Sequence, residues 1–325
     1  MKRVFSGIQP SGVLHIGNYL GALQHFVKRQ DDHQSFYCIV DLHALTMPQD
    51  PGALRELVQR LAATYLAVGL DPQKATLFIQ SHVSAHSELG WLLQCVSYMG
   101  ELNRMTQFKE KSDGRDSVSV GLYTYPVLQA ADILLYDTDY VPVGEDQKQH
   151  IELCRDIAIR FNQRFGKVFT VPEHQIPKFG ARIMSLDDPA RKMSKSNENA
   201  GSYVSLVDTP DIIRKKIMRA VTDTGKEVRY DPENKAGVSN LLVINSLCSE
   251  RTIAELESHF EGKGYGDLKK DTAEAVIATV SPIRERTEEI LSSGQLNDLL
   301  AEGAERARDV ADRTLDRVRQ AMGVR

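Results

Sequence analysis

Residues 3–21 read RVFSGIQPSGVLHIGNYLG, and this stretch decides the class of fold. A short β-rich run, Arg3 to Ile8, leads through the turn residues Gln9-Pro10-Ser11-Gly12 into a segment with the features of a helix start. A strand that passes through such a turn into a helix is the opening unit of an α/β fold. Free backbone N–H groups and the dipole at the start of a helix attract phosphate, so the same residues predict an anion-binding turn.

The alternation of strand and helix continues up to about residue 190 and then stops. Further strands are predicted at Ser35 to Val40, Ala75 to Gln80 and Tyr140 to Val143. Right-handed crossovers make residues 1–205 a Rossmann-like domain, an α/β fold with a doubly wound parallel sheet. We expect residues 206–325 to form a helical domain whose last helix can pack back on the first domain. Its predicted helices are Pro210 to Val221, Val238 to Cys248, Thr252 to Phe260, Leu268 to Leu291 and Leu296 to Met322.

The composition is that of a globular protein with a slight excess of acid. The chain has 325 residues, 42% of them hydrophobic, and a formal net charge of -4. This balance excludes a general basic coat, so any nucleic acid must meet a local basic patch. The best candidate patch is Arg214-Lys215-Lys216 with Arg219 and Lys226, although a solvated helix face explains these residues equally well.

The cysteines and the apolar runs indicate the compartment. Cys38, Cys95, Cys154 and Cys248 stand far apart, which offers neither a zinc pattern nor a disulfide framework. Met1-Lys2-Arg3 is not followed by the apolar run of a signal peptide, and no later run is long enough to span a bilayer. We therefore expect a cytoplasmic protein without zinc and without membrane contact.

A second motif, Lys192-Met193-Ser194-Lys195-Ser196, carries two lysines beside serines and has no apolar period. It predicts a loop that can close over a triphosphate. The first motif is the turn and helix start at residues 9–18. In it, His15 and Asn18 share a helix face, and Gly17 lets a base or sugar approach the backbone. Taken alone, the first motif is also explained by a polar turn with incidental glycines.

An apolar helix is predicted over Tyr123 to Tyr136, and polar residues interrupt it. Tyr125, Gln129 and Asp132 fall on one stripe at helical spacing. Burying a carboxylate in such a helix is costly unless a group donates to it. Asp132 therefore meets either a structural cation or a ligand N–H, and the spacing leaves both open.

Residues 141–147, Val141-Pro142-Val143-Gly144-Glu145-Asp146-Gln147, predict a strand, a glycine turn and a helix start. Open α/β sheets bind ligands at such a junction. Because acids repel a triphosphate, we expect Glu145 and Asp146 to face ribose hydroxyls or a lysine, with Gly144 permitting close approach. A simple interaction with the helix dipole is the alternative for the two acids.

Residues 10–18, PSGVLHIGN, followed by an intact KMSKS at 192–196, resemble the two signature motifs of class I aminoacyl-tRNA synthetases. Asn18 stands where the commoner HIGH form has its second histidine, which resembles the tryptophanyl branch of that family. The resemblance implies a tryptophan–tRNA ligase, in which ATP activates L-tryptophan to tryptophanyl-adenylate with release of pyrophosphate. The amino acid then passes to tRNA(Trp). The resemblance further implies a homodimer and a helical domain that reads the anticodon.

The resemblance also implies roles for individual residues. Asp132 would accept a hydrogen bond from the indole nitrogen, in a tryptophan-binding set of Phe5, Gly7, His43, Tyr125, Gln129, Asp132, Ile133, Val143 and Gln147. The ATP-binding set is Gln9, Pro10, Ser11, Gly17, Asn18, Gly144, Glu145, Asp146, Ile183, Lys192, Met193, Ser194, Lys195 and Ser196. The catalytic groups are His15, Asn18, Lys111, Lys192 and Lys195, with Mg²⁺ held through the ATP phosphates and no metal held by the protein. For Lys111, a solvated charged helix explains the sequence equally well.

Two other functions stay open from the sequence. One is a tyrosyl-specific relative, which pyrophosphate exchange with each amino acid would separate. The other is a non-catalytic RNA-binding paralogue, which would have no need of His15, Lys192 and Lys195.

Overall fold

The computed structural model describes residues 1–114, 117–144, 147–175, 182–194, 197 and 199–324. Within them, five parallel strands form one sheet in the spatial order β3, β2, β1, β4, β5. Their bounds are β1 Arg3–Ile8, β2 Gln34–Ile39, β3 Thr76–Ile79, β4 Tyr140–Pro142 and β5 Glu173–Gln175. The predicted doubly wound α/β sheet is confirmed. The sequence does not predict β5, because a three-residue polar strand at the edge of a sheet has no apolar pattern.

The order of the strands determines where a ligand can bind. β2 and β3 lie on one side of β1, whereas β4 and β5 lie on the other. β1 pairs with β2 in the register Phe5 to Phe36. After β3 the chain crosses back to the other side of β1, so the order in which strands are added reverses between β1 and β4. Such a switch point leaves a crevice at the carboxyl ends of the strands. The loops after Ile8 and Pro142 therefore border this crevice.

Helices connect the strands as expected. The helix Pro51–Ala67 has clear signals at both ends. The Asp50 carboxylate accepts the Ala53 N–H at 2.8 Å at the start of this helix, and Gly69, at φ +103°, follows its end. The first predicted helix is short and continues as a π-helical turn, Tyr19–Leu23. The bounds are α1 Ile16–Asn18, α2 Gln24–Arg29, α3 Asp41–Ala44, α4 Pro51–Ala67, α5 Ala85–Gln94, α6 Met99–Leu102, α7 Thr106–Ser112, α8 Val120–Leu134 and α9 Lys148–Phe165.

The C-terminal part of the chain is helical. Its elements are α10 Pro210–Met218, α11 Ala236–Ser249, α12 Ile253–His259, α13 Tyr265–Ser292 and α14 Leu296–Met322. α14 packs against β3 so closely that a Cβ on Gly303 would lie 1.9 Å from the Leu77 carbonyl oxygen. No helix in the described part of the chain is long and apolar enough to cross a membrane.

Apolar residues fill both faces of the sheet. Tyr37 and Ile39 of β2 belong to one cluster, and Phe36 and Cys38 belong to the other, as expected for alternating side chains. The first cluster extends into α4, α11 and α13, so it runs without a break from the sheet into the C-terminal helices. The second includes α5, α8, α9 and α14. Covering both faces leaves the carboxyl edge of the sheet as the open side.

Candidate active site

The turn after β1 is built by its own side chains. The Gln9 amide donates to the His43 carbonyl at 3.2 Å, and Gly12 adopts φ +108°. The His15 N–H donates to Asn18 Oδ1 at 3.0 Å, so the Asn18 carbonyl is turned into the helix start. The Asn18 NH₂ group is then the part of this amide that can donate to a phosphate oxygen. Of the remaining predicted turn residues, the structure buries Pro10 and exposes Ser11.

The second motif begins in a β-hairpin. The Met193 N–H donates to the Ile183 carbonyl at 3.0 Å, and Met184 lies opposite Lys192 in an antiparallel bridge. Met193 is buried, whereas the Lys192 and Ser194 residues are exposed. The predicted residues Lys195 and Ser196 lie outside the described part of the chain. The buried methionine anchors the hairpin while its lysine faces solvent.

The hairpin brings the two motifs together. A Cβ on Gly17 would lie 3.0 Å from the His15 ring, which is tight, and 3.5 Å from Ile183 Cβ, so the hairpin packs directly against this glycine. The segment after the hairpin continues the contact, because the Ile16 N–H donates to the Val204 carbonyl at 2.9 Å. His15 itself bridges to Ser205 in antiparallel fashion. The predicted phosphate turn and Ile183, a member of the predicted ATP-binding set, are therefore neighbours.

Asp132 lies in α8 with only 1% of its surface exposed, and three side chains donate to its carboxylate. Gln80 Nε2 and His86 Nδ1 contact Oδ1 at 2.7 and 2.6 Å, and His43 Nε2 contacts Oδ2 at 2.7 Å. A carboxylate has about four lone-pair sites. Among the described contacts, one acceptor site therefore remains, on Oδ2. The His43 side of the carboxylate is the open side, since the His43 side chain keeps 11% exposure and that of His86 keeps 0%.

The hydrogen-bond network keeps Asp132 ionised. Burial by itself raises the pKa of this carboxyl, but His43 and His86 outweigh it and hold the pKa well below its usual range. His86 Nε2 also contacts the Tyr136 hydroxyl at 2.8 Å. Burial raises the pKa of Tyr136, so its O–H stays protonated and donates to the histidine. The His86 tautomer with its proton on Nδ1 satisfies both neighbours.

The other predicted tryptophan residues surround this carboxylate unevenly. Gly7 is exposed although it lies in the central strand, and a Cβ there would lie 3.0 Å from Val40 Cγ1. Phe5 and Ile133 are buried in the apolar cluster on the same side of the sheet. The exposed surface at Gly7, where a Cβ would lie 3.6 Å from Phe5 Cε1, is therefore the candidate floor of the tryptophan pocket. Of the other predicted tryptophan residues, Gln129, Val143 and Gln147 are partly exposed.

Tyr125 links the pocket to Lys111. Its ring lies edge-on to the His43 ring at 6.1 Å, and its hydroxyl contacts His150 Nε2 at 2.9 Å. Lys111 Nζ lies 5.2 Å from the centre of the same ring. Partial desolvation there lowers the pKa of Lys111, although the residue as a whole is exposed. The structure therefore places this lysine beside the pocket, on an aromatic surface suited to a cation.

The corner after β4 is described only in part. Gly144 is exposed, and its carbonyl accepts the Gln147 N–H at 3.0 Å. The predicted ribose contacts Glu145 and Asp146 lie outside the described residues. The turn stands at the carboxyl end of β4, next to the turn after β1. This position is the one expected of a ribose corner.

Comparison with known proteins assigns the chain to a family. A model described as class I tRNA synthetases (W and Y) matches residues 1–281. The chain belongs to this family. A tryptophan–tRNA ligase from Halalkalibacterium halodurans is 59% identical over 323 residues, which are 99% of this chain and 98% of that protein. Another from Caldanaerobacter subterraneus is 60% identical over 324 residues, covering 100% and 99% of the two chains.

Solved structures agree over the full length. The tryptophanyl-tRNA synthetase of Mycoplasma pneumoniae superposes with a TM-score of 0.90 at 40% identity, covering 99% of this chain and 98% of the other. That of Campylobacter jejuni, solved with ADP and tryptophan, gives 0.88 at 38% identity and covers 99% of each chain. The family and the fold expected from the two motifs are confirmed.

Sequence reasoning about this synthetase missed three residues of the site. Gln80 and His86 donate to Asp132, and Tyr136 supports His86. The Gln80 Oε1 accepts the Leu42 N–H at 3.1 Å, which turns its Nε2 toward the carboxylate. Gln80 directly follows β3, so its position at a strand end was an available signal. His86 carried none, because a single histidine in an apolar helix gives no indication of its partner.

The predicted basic patch is less uniform than the sequence indicates. The Arg214 guanidinium pairs with Glu274 at 3.0 Å. Lys216 pairs with Asp208 at 2.7 Å and keeps only 14% side-chain exposure, so it is part of the packing rather than a free cation. Three of the predicted residues are exposed without a recorded acidic partner among the described contacts, namely Lys215, Arg219 and Lys226.

Proposed function

We propose that the chain is a tryptophan–tRNA ligase that activates L-tryptophan with ATP and transfers it to tRNA(Trp). Its full-length relatives at 59 and 60% identity have this activity in their names. The observation that carries the proposal is the Asp132 carboxylate, buried and ionised with one acceptor site left on its open side. An indole N–H is a donor of the kind that this acceptor needs.

The activation step requires no nucleophile from the protein. An oxygen of the tryptophan carboxylate attacks the α-phosphorus of ATP and forms a new P–O bond. The bond to the oxygen that bridges the α- and β-phosphates breaks, and pyrophosphate leaves with that electron pair. Negative charge grows on the phosphate oxygens, so positioning and preorganised donors carry the catalysis.

The described residues supply such donors from two sides. The Asn18 amide and His15 lie in the turn after β1, and Lys192 lies on the hairpin that packs against this turn. Lys111 approaches from α7 over the Tyr125 ring. Mg²⁺ would enter with the substrate ATP, held through its phosphates. By their motif, Lys195, Glu145 and Asp146 would join the nucleotide contacts.

In the second step a hydroxyl of the terminal tRNA ribose attacks the carbonyl carbon of the adenylate. The bond between that carbon and the phosphate oxygen breaks, and AMP leaves with that electron pair while the hydroxyl gives up its proton to a phosphate oxygen. The exposed cations Lys215 of α10, and Arg219 and Lys226 of the segment after it, are the candidates for contact with the RNA backbone. The helical part would read the anticodon.

Selection of tryptophan follows from the pocket. The indole N–H would donate to Oδ2 of Asp132, and the ring would lie over the exposed Gly7 surface. Phenylalanine has no donor and would leave a desolvated carboxylate site unpaired. Pockets that hydrogen-bond a substrate group can reject the analogue that lacks it by roughly four to five powers of ten.

ATP–pyrophosphate exchange with each of the twenty amino acids tests the proposal. Tryptophan alone should support rapid exchange, and aminoacylation should then require tRNA(Trp). Exchange that depends on tyrosine would make the chain a tyrosyl enzyme. Absence of exchange with every amino acid would make it a non-catalytic relative.

We also propose that the enzyme works as a homodimer. Large apolar side chains are exposed along the outer surface of α5, α6 and α8, including Trp91 at 64%, Met99 at 71% and Val120 at 75%. Tyr123 of α8 donates to the Met99 carbonyl at 2.9 Å, so these helices form one continuous face. Exposed apolar area of this kind is typical of a protein–protein interface.

A charge on this apolar face should split the dimer. Met99→Glu should halve the mass measured by light scattering, whereas Val221→Glu, on an exposed apolar residue of the helical part, should leave it unchanged. A wild-type monomer, or a Met99→Glu dimer of unchanged affinity, contradicts the proposed face.

We propose the cytoplasm as the compartment of this enzyme, because a reducing compartment suits a chain whose cysteines are free thiols. These are Cys38, Cys95, Cys154 and Cys248.

A further inference from the structure

A buried asparagine of the helical part holds the hairpin that carries Lys192. Asn240 lies in α11 with 6% of its surface exposed. Its Oδ1 accepts the Met184 N–H at 2.9 Å, and its Nδ2 donates to the Met184 carbonyl at 3.0 Å. One side-chain amide thus pairs with both polar groups of a single backbone residue, as a neighbouring strand would.

The geometry of the hairpin explains why these two groups need a partner. Hydrogen bonds across the hairpin join Met193 to Ile183 and Ser185 to Arg191. They flank the Met184 to Lys192 pair without including it, so the N–H and the carbonyl of Met184 point away from the opposite strand. That edge of the hairpin would be unpaired without Asn240. Unpaired backbone groups in a buried place are costly.

A second contact joins the helical part to the outer edge of this strand. The Leu186 carbonyl, two residues after Met184, accepts the Val221 N–H at 2.8 Å. Val221 in turn packs on α11, where a Cβ on Gly237 would lie 2.1 Å from its carbonyl oxygen. The Leu186 N–H donates to the Ser202 carbonyl at 2.8 Å, so the outer edge of the strand opposite Lys192 bonds to α11, to the segment that packs against α11 and to the chain just after the hairpin.

From these contacts we propose that Asn240 is a positioning residue for Lys192. By pairing with both groups of Met184, it fixes the strand opposite Lys192 and joins α11 to the hairpin as one body. A shift of the helical part would then shift the lysine relative to the turn after β1. This inference rests on the proposed function, because it assigns Lys192 to the phosphates of ATP.

The amide is suited to this role by its chemistry. A planar group with one acceptor and one donor can replace a peptide unit, whereas a carboxylate can only accept and an alkyl group can do neither. Asn240→Asp keeps the size and the bond to the Met184 N–H, and it leaves the Met184 carbonyl without a donor. Asn240→Ala removes both bonds.

Single-turnover formation of tryptophanyl-adenylate tests the inference. We expect Asn240→Ala to lower the rate at saturating substrates by at least tenfold, with the tryptophan KM within twofold of wild type. Asn240→Asp should show an intermediate loss, and it serves as the second variant if Asn240→Ala does not fold. A wild-type rate in both variants overturns the proposal.

Asn245 on the same helix provides the matched control. It is fully buried, and its Nδ2 donates to Asp271 at 2.8 Å and to Thr272 at 3.1 Å, both within the helical part. Asn245→Ala should lower the urea midpoint of unfolding and leave the adenylate rate within twofold. An equal loss of rate in Asn245→Ala would mean that any damage to α11 slows the reaction, and it would overturn the specific role of Asn240.

A double-mutant cycle with Lys192→Ala identifies the route of the effect. If Asn240 acts through Lys192, adding Asn240→Ala to Lys192→Ala should lower the rate by less than twofold more. If the losses of rate from the two single variants multiply in the double variant, Asn240 acts by a route other than Lys192, and the proposal is refuted. Failure of the proposed function is distinguishable, because the wild-type chain would then show no tryptophan-dependent exchange.

Discussion

Replacing Asp132 by asparagine reverses the hydrogen-bonding character of one oxygen in the pocket. Three donors face this side chain, two at Oδ1 from Gln80 and His86 and one at Oδ2 from His43. Asparagine has one acceptor oxygen, and two donor contacts favour placing it toward Gln80 and His86. Its NH₂ group then takes the place of Oδ2, so the indole N–H would meet a donor instead of an acceptor.

The magnitude follows from the type of bond that is lost. A hydrogen bond to a charged acceptor contributes about 1.5–3 kcal/mol, which converts to a rise in the tryptophan KM of roughly 10- to 150-fold. The KM for ATP should stay within twofold, because the residues proposed to bind the nucleotide lie on the turn after β1 and on the hairpin. Phenylalanine makes no such bond, so the tryptophan to phenylalanine ratio of kcat/KM should fall by at least the same factor.

Pyrophosphate exchange with varied tryptophan, phenylalanine and ATP measures these quantities. Asp137→Asn is the matched control, since Asp137 is also a paired carboxylate but bonds to Arg317 at 2.8 Å outside the pocket. It should leave all three KM values unchanged. An Asp132→Asn enzyme that keeps the wild-type tryptophan KM and the wild-type ratio would refute the assignment of Asp132 to the indole.

The same carboxylate predicts a dependence of stability on pH. The pKa of Asp132 in the folded protein lies below its ordinary value of 3.8, so its ionised form stabilises the fold at all pH values above that number. This contribution is lost as the pH falls through the lowered pKa. The difference in unfolding free energy between wild type and Asp132→Asn, measured with urea, should therefore be largest near neutrality and shrink below about pH 4. A difference that grows in acid would contradict the network.

Three further substitutions test the tryptophan pocket, the proposed catalytic lysine Lys111 and the packing of the last helix. Gly7→Ala adds a methyl group to the pocket floor and should weaken tryptophan binding by about 1 kcal/mol in equilibrium titrations while leaving ATP binding unchanged. Lys111→Ala should slow single-turnover adenylate formation roughly 100-fold, whereas Lys109→Ala, on the same helix, should not. Gly303→Ala places a methyl group against a strand carbonyl and should lower the unfolding free energy by about 3 kcal/mol or more. Gly266→Ala, which meets no atom within 4 Å, should be neutral or slightly stabilising.

Most of the fold was predictable because its signals are local. The strand Arg3 to Ile8 and the helix Leu296 to Met322 were predicted with the bounds that the structure has. Apolar residues recur every two residues in a strand and every 3.6 in a helix, and this period is visible in consecutive residues. β5 was missed because its pairing with β4, and not its own sequence, makes it a strand. The π-helical turn Tyr19–Leu23 was missed for a similar reason, as a wide turn in a helix has no simple sequence period.

The candidate site divides in the same way. Asn18 and Lys192 could be proposed as phosphate contacts from their motifs, because the chemistry of phosphate binding requires particular residues at short spacing. His86 could not be named, and Gln80 was indicated only by its place at a strand end, since both meet Asp132 across 46 and 52 residues of chain, respectively. A contact of this kind has no spacing rule, because loops of any length can bring two residues together.

The sequence by itself determined the family and the α/β class, and it named the candidates for handling charge, since these depend on residue types and local order. Only the tertiary structure decided which lone pair of Asp132 is left for a ligand. It alone joined Ile183 to Gly17, and Asn240 to Met184. The physical reason is that a donor is satisfied by whichever acceptor the packed chain brings within about 3 Å, and that choice is made by the fold as a whole.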